Sequence, residues 1–270
     1  MGFWMNDMGR RCVVVAIAFA IGCSRAPRAP IGVSDDRLIA MVQADDVEAV
    51  RAAAGEAFTT RIVSGEERAD LLTIAALVDA PHVVSALLAD GADVDGRPDP
   101  FHRLESAWGR TPLYTASRTG HAAIVKTLLD AGADATRPDA AGFGPLHVAA
   151  AFGQTPVVAL LVDEGGVAID SPSARGDTAL MLAVMRRKPG TVSYLLSHHA
   201  DPRIADRRGD TPLHEAVRNG DEAVVVQLLA AGARVDARDR NGRTPLDDAP
   251  LRAPGLASVL GHGSGASIRK

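Results

Sequence analysis

Cysteine is nearly absent. Among 270 residues there are two, Cys12 and Cys23. From residue 24 onward the chain therefore has no thiol for a disulfide or a cysteine-based metal site. Aromatic residues make up only 4%, although a chain of this length could bury a large globular core. Neither sign of charge dominates, because 29 Lys and Arg stand against 33 Asp and Glu for a net charge of −4. That balance lacks the basic surface that nucleic acid favours. Without residues 1–22, which carry Arg10, Arg11 and Asp7, the net charge would be about −5. A run long enough to span a bilayer is also missing. The apolar run at residues 12–21 would reach about 15 Å as a helix, half of a hydrocarbon core. There is no phosphate-cradling glycine loop, no nucleophile elbow and no HExxH.

What is present is a phrase that recurs. Thr211-Pro212-Leu213-His214-Glu215-Ala216 has near copies that start at Thr111, Gly144, Thr178 and Thr244. The starts are 33, 34, 33 and 33 residues apart. Thr is a natural N-cap, and Pro at the first helical position sacrifices no hydrogen bond. Leu113 and Ala116 then face inward, and Gly120 ends the helix. Residues 121–129 form a second helix with Ile124, Val125, Leu128 and Leu129 on one side. A fixed period of this size marks a stacked array in which each unit touches only its neighbours. Small Ala, Val and Leu side chains suit such close packing.

The phrase and its period resemble the ankyrin repeat. The resemblance implies an all-α solenoid of helix-turn-helix units joined by β-hairpin-like fingers, over residues 36–262, with about seven units including two caps. The first unit keeps the apolar register over residues 36–51 but has lost the phrase, as expected of a cap with one unpartnered face. The second starts near Asp70, and the next phrase follows 41 residues later. The extra length lies in a long finger carrying Phe101 and Trp108. Gly144 takes the place of a capping Thr, at an expected cost of a few tenths of a kcal/mol. At residues 187–190, Arg-Lys-Pro-Gly replaces the usual Gly-His, so that turn is expected to differ. The last unit is cut short by Pro250 and Pro254, and residues 263–270 read as a disordered tail.

The N-terminus reads as an address. Arg10-Arg11, the apolar run 12–21, Gly22 and Cys23 follow in the order of a secretory signal. Residues 20–23, Ala-Ile-Gly-Cys, resemble the bacterial lipobox, although Ala20 stands where Leu is usual. The resemblance implies a signal peptide at 1–22, lipidation of Cys23 and a flexible tether at 23–35. By the same resemblance, Ser24 in place of Asp implies the outer membrane, facing the periplasm. Met5 and Met8 are alternative starts.

His147 and His214 are the tempting catalytic groups. Both hold the fourth position of the phrase, where the resemblance implies hydrogen bonding between repeats. His121 sits at the inter-helix turn, and His198-His199 diverge by about 100° on a helix end. No reaction, cofactor, metal or small-molecule substrate is expected. The resemblance instead implies a protein partner on the concave side. Carried over by position, that side presents Thr115, Val148, Leu182 and Glu215. One turn later come Arg118, Phe152, Met185, Arg186 and Arg218. Val148, Phe152, Leu182 and Met185 would form an exposed apolar stripe flanked by Arg118 and Arg218, the pattern of a protein interface. Phe101 and Trp108 would add aromatic contact. Arginine-rich finger tips, paired with Asp139, Asp177, Asp206, Asp210 and Asp239, read as a solvated mixed-charge edge. The alternative role is an envelope organiser that self-associates and has no dedicated soluble partner.

Overall fold

The computed structural model describes residues 35–55, 62–63, 69–96 and 110–248. Residues 1–34, over which the signal peptide, Cys23 and nearly all of the tether are expected, together with Phe101, Trp108 and the chain after residue 248, lie outside the described residues, while Asp35 already belongs to the first helix. Six helix pairs follow one another. They are α1 Asp35–Gln43 with α2 Val47–Ala54, α3 Leu71–Val78 with α4 Pro81–Ala89, and α5 Pro112–Thr119 with α6 Ala122–Asp130. Then come α7 Pro145–Phe152 with α8 Thr155–Asp163, α9 Ala179–Met185 with α10 Pro189–Ser197, and α11 Pro212–Asn219 with α12 Glu222–Ala230. A 3-10 turn at Pro245–Asp248 begins a seventh unit. First helices stack on first helices and second on second, which is the expected solenoid. A two-residue antiparallel pair, β1 Ile62–Val63 with β2 Ala69–Asp70, lies between the first two units.

The local causes are the ones the phrase carries. Thr111 and Thr178 accept the N–H of the third helical residue at 3.0 and 3.3 Å, and Asp70 does the same at 2.6 Å. Asp45 caps across units, taking the N–H groups of His82 and Val83 at the start of α4. Ala75, Ala116, Ala149, Ala183 and Ala216 are all 0% exposed. With no side chain beyond Cβ, they let neighbouring first helices approach closely. That contact explains why so few aromatics are needed. Leu113, Leu146, Leu180 and Leu213 fill the space between the layers.

The turn after α9 departs from expectation. Its sequence is unlike the others, yet its path is the same. Lys188 N–H reaches the Ala183 carbonyl at 2.9 Å, matching Gln154 to Ala149 at 2.8 Å and Asp221 to Ala216 at 3.2 Å. The left-handed conformation that Gly120, Gly153 and Gly220 adopt falls to Arg187, at φ 55°. Packing on both sides fixes the backbone, and a non-glycine residue tolerates it at a cost of about 1–2 kcal/mol.

Candidate functional site

The fingers fix the spacing of the face they border. Asp139, Asp206 and Asp239, with Ser173 between, stand at one repeat position. Each side-chain oxygen accepts two backbone N–H groups from its own turn. Asp206 Oδ1 takes those of Arg208 and Asp210 at 2.8 and 2.9 Å, and Asp239 Oδ1 those of Asn241 and Arg243 at 2.8 Å. Asp139 and Ser173 repeat the pattern. Burial opposes ionisation of Asp239, but hydrogen bonds from Arg243 and Asn241 outweigh it and bring the carboxyl down to about 2. Successive fingers are then tied by backbone bonds, Ala174 N–H to Gly142 O at 3.1 Å, Arg207 to Arg175 at 3.0 Å and Arg240 to Arg208 at 2.8 Å. At Gly142 a Cβ would meet the Ala174 Cβ at 2.1 Å, and φ there is +83°, so glycine is required twice over.

These contacts correct the reading of the finger acids as a solvated edge. Asp139, Asp177, Asp206, Asp210 and Asp239 are all buried. A legible signal was available, since Asp or Ser followed three residues later by Gly recurs at 139, 173, 206 and 239.

The histidines are scaffold. His214 Nδ1 accepts the Thr211 N–H at 3.1 Å, so the proton sits on Nε2, which faces the Arg243 carbonyl at 3.3 Å. His147 bridges Gly144 N–H and the Ser171 carbonyl in the same way, at 3.2 and 3.0 Å. Burial pushes the His147 pKa down, only partly opposed by the Ser171 carbonyl, so the ring is neutral near pH 7. A cleft of about 470 Å³ beside it is lined by Thr136, Gly142, Val167 and Ser171 among others, but both ring nitrogens of His147 are already occupied. Tyr114 replaces His in the third unit and donates from its hydroxyl to Asp139 Oδ2 at 2.9 Å. Burial, then the Asp139 contact, pushes that phenol up to about 12. His121 faces the Leu77 carbonyl and Asp79. His198 stacks on Tyr194 at 4.0 Å, while Asp201 is held by Arg203. Among the described residues no group of three His, Cys, Asp or Glu is placed to hold a metal ion.

The first-helix face is narrower than expected. Phe152 is 50% exposed and Met185 37%, but Val148 and Leu182 are buried, as are Thr115 and Glu215. The close helix approach covers the position just after the phrase's fourth residue, whereas the helix ends one turn later stay open. The stripe is thus two side chains, one from α7 and one from the end of α9.

The flanking arginines differ from each other. Arg118 lies over the Phe152 ring with Cζ 5.9 Å from its centre, a cation–π arrangement. Its Nε is buried without a hydrogen-bond partner, as is that of Arg110 at the other end of α5. Arg186 is exposed. Arg218 instead lies in a closed cluster. It bonds Asp210, Glu215 at 2.9 Å and Asp248 at 2.7 Å. Arg208 and Arg243 complete the cluster. Burial pushes the Glu215 pKa up, with Arg218 and Arg208 opposing and Asp210 and Asp206 adding to the rise. Arg218 is therefore not a free rim charge. The sequence spacing pointed to both arginines but gave no way to separate them. No helix of the described residues is long and apolar enough to cross a membrane.

The family described as Ankyrin repeats matches in three copies, over residues 38–139, 136–206 and 188–263. Among solved structures, the ankyrin repeat domain of human ASB11 is similar, with a TM-score of 0.71 and 26% identity, covering 87% of this chain and 98% of that one. A curated relative is zinc finger CCCH domain-containing protein 50 of Oryza sativa subsp. japonica, 35% identical over 132 aligned residues. That match covers 40% of this chain and spans 18% of that protein's length.

Proposed function

The chain belongs to the ankyrin-repeat family, and from that premise we propose a lipid-anchored protein of the bacterial envelope that binds another protein through its first-helix face and catalyses no reaction. One observation carries the binding reading. Phe152 and Met185 are exposed on adjacent first helices, next to Arg118, which forms no ion pair among the described residues and whose Nε is a buried donor without an acceptor there. An apolar centre with an unsatisfied charged rim is the composition of a protein interface. Candidate roles are neutralising a toxin or effector, as an immunity protein does, or supporting a periplasmic enzyme. The test is affinity capture with wild type and with Phe152→Asp combined with Met185→Asp. Both side chains are exposed, so the helical circular dichroism should be unchanged while the captured partner is lost. Retention of that partner by the double variant would sink the reading.

The envelope address rests on the order Arg10-Arg11, apolar 12–21, Gly22 and Cys23. Acyl chains on Cys23 would supply the anchor, and more than one makes it stable. Cells fed labelled fatty acid should incorporate it into the wild-type chain and not into Cys23→Ala. Unlabelled wild type in the soluble fraction would remove the lipid anchor from the proposal.

A further inference from the structure

We infer that the partner presents an acidic segment, whose carboxylates take up Arg118 and its neighbours while an apolar side chain rests on Phe152 and Met185. The inference rests on the first-helix face being the binding face. Its template lies within the chain. Around Arg218, carboxylates come from Asp210, Glu215 and Asp248. The positions one hundred residues earlier are Arg110, Thr115 and Val148. Arg118 therefore occupies the same socket with all three acids missing. Arg118 is half-buried, and within it Nε is a buried donor with no acceptor among the described residues, the kind of polar atom that gains from a hydrogen-bond partner. An acceptor supplied from outside would complete what the chain itself completes at Arg218.

Within the first helices and turns of the third, fourth and fifth units the charges have the same sign, the acid at their border being Asp79 of the second unit, which pairs with His121. Residues 110–121, 144–154 and 178–190 are the finger root, first helix and turn of the third unit, and the first helix and turn of the fourth and fifth. They contain Arg110, Arg118, Arg186, Arg187 and Lys188 and no Asp or Glu. None of these five forms an ion pair among the described residues. The nearest finger acids are spent, since Asp139 binds the Tyr114 hydroxyl and its own turn and Asp177 accepts from Ser173. Charge complementarity of this kind selects the partner and speeds its arrival.

The test selects random twelve-residue peptides, displayed on phage, against the immobilised full chain. Asp and Glu should be enriched together with Leu or an aromatic residue. A synthetic peptide of the enriched sequence should bind about tenfold more weakly to Arg118→Ala with Arg186→Ala, and more weakly at higher salt. Thr115→Glu, which restores one of the missing acids inside the socket, should compete and weaken binding likewise. Arg203→Ala with Arg234→Ala, exposed arginines of the fingers, should leave binding unchanged. Enrichment of neutral or basic peptides that Phe152→Asp still abolishes would keep the face and overturn the acidic assignment. So would acidic peptides indifferent to Arg118→Ala and Thr115→Glu. A partner captured through Phe152 and Met185 with no peptide enriched would overturn the linear acidic segment alone. Mass that rises with concentration in wild type, and not in Arg118→Ala, would give the socket to a second copy of the chain and overturn it too.

Discussion

Arg118 and Arg218 stand at the same place in two copies of one unit, yet one is left open and the other is enclosed. Both follow the phrase by the same interval, both lie near the end of a first helix, and their backbones are alike. The difference comes from three other positions, where Arg110, Thr115 and Val148 in one place answer to Asp210, Glu215 and Asp248 in the other. The repeat thus fixes where a side chain projects, and the variable positions around it decide whether the chain consumes that side chain itself. One end of the face is closed by an internal charge cluster, and the middle has no such cluster among the described residues.

Deleting each arginine in turn should separate the two most strongly. Arg218→Ala leaves Asp210 and Asp248, 5% and 4% exposed, without their main counter-charge. Breaking a buried pair costs about 3–5 kcal/mol, discounted to about 2 here because Arg218 is itself 28% exposed. Arg118→Ala removes a charge that forms no ion pair among the described residues and lies over the exposed Phe152 ring, so its effect should stay within about 0.5 kcal/mol. Urea unfolding followed by helical circular dichroism measures both. Equal losses would mean that Arg118 has a structural partner and would remove the basis for reading it as open.

Acid sharpens the same contrast. The folded state holds the His147 pKa below its usual 6.5. The stability that its neutral ring contributes is present above that value and is lost as pH falls through the lowered one. Asp239, at about 2 against an ordinary 3.8, contributes stability above about 4 that is lost only as pH falls towards 2. Glu215 runs the other way. Its raised pKa means that its contribution is complete below the ordinary 4.5 and is lost as pH rises through the folded value. Stability against pH should therefore flatten below 6.5 in His147→Gln, and flatten between about 4 and 2 in Asp239→Asn. Glu215→Gln should remove a fall in stability with rising pH just above 4.5. A His147→Gln profile parallel to wild type would remove that histidine from the acid response.

Much of this arrangement was legible before any coordinates. Helix pairs and caps follow from Thr-Pro-Leu-His and its period, because caps and helix faces are set locally, whereas the bridging role of His147 and His214 is what the resemblance to the ankyrin repeat implies. The pattern of Asp or Ser with Gly at 139, 173, 206 and 239 is equally local, and it marks a turn in which the acid is buried against its own backbone N–H groups. What spacing could not give was exposure. Val148 and Leu182 share a helix face with Phe152 and Met185, and only the approach of neighbouring helices, set by the alanines, covers the first pair and leaves the second. The enclosure of Arg218 likewise depends on residues from three separate elements meeting in space.

The smallest test asks whether the fifth unit's odd residues are strained by the path that the repeat imposes. His199 has φ +66° where Gly55, Gly91, Gly132, Gly166 and Gly232 follow the other second helices. A non-glycine residue in that conformation costs about 1 kcal/mol, partly offset because glycine gives the unfolded chain more freedom. His199→Gly should therefore stabilise by about 0.5 kcal/mol, raising the urea midpoint without changing the slope. Arg187, at φ +55°, is the instructive partner. It has the same strain, but its guanidinium donates to the Asn219 carbonyl at 2.8 Å. Arg187→Gly gives back that bond along with the strain, and a net change near zero is expected. A gain at Arg187 equal to that at His199 would mean that the Asn219 contact contributes nothing. Arg187 would then join Arg118 and Arg186 as a cation held for a partner rather than for the fold.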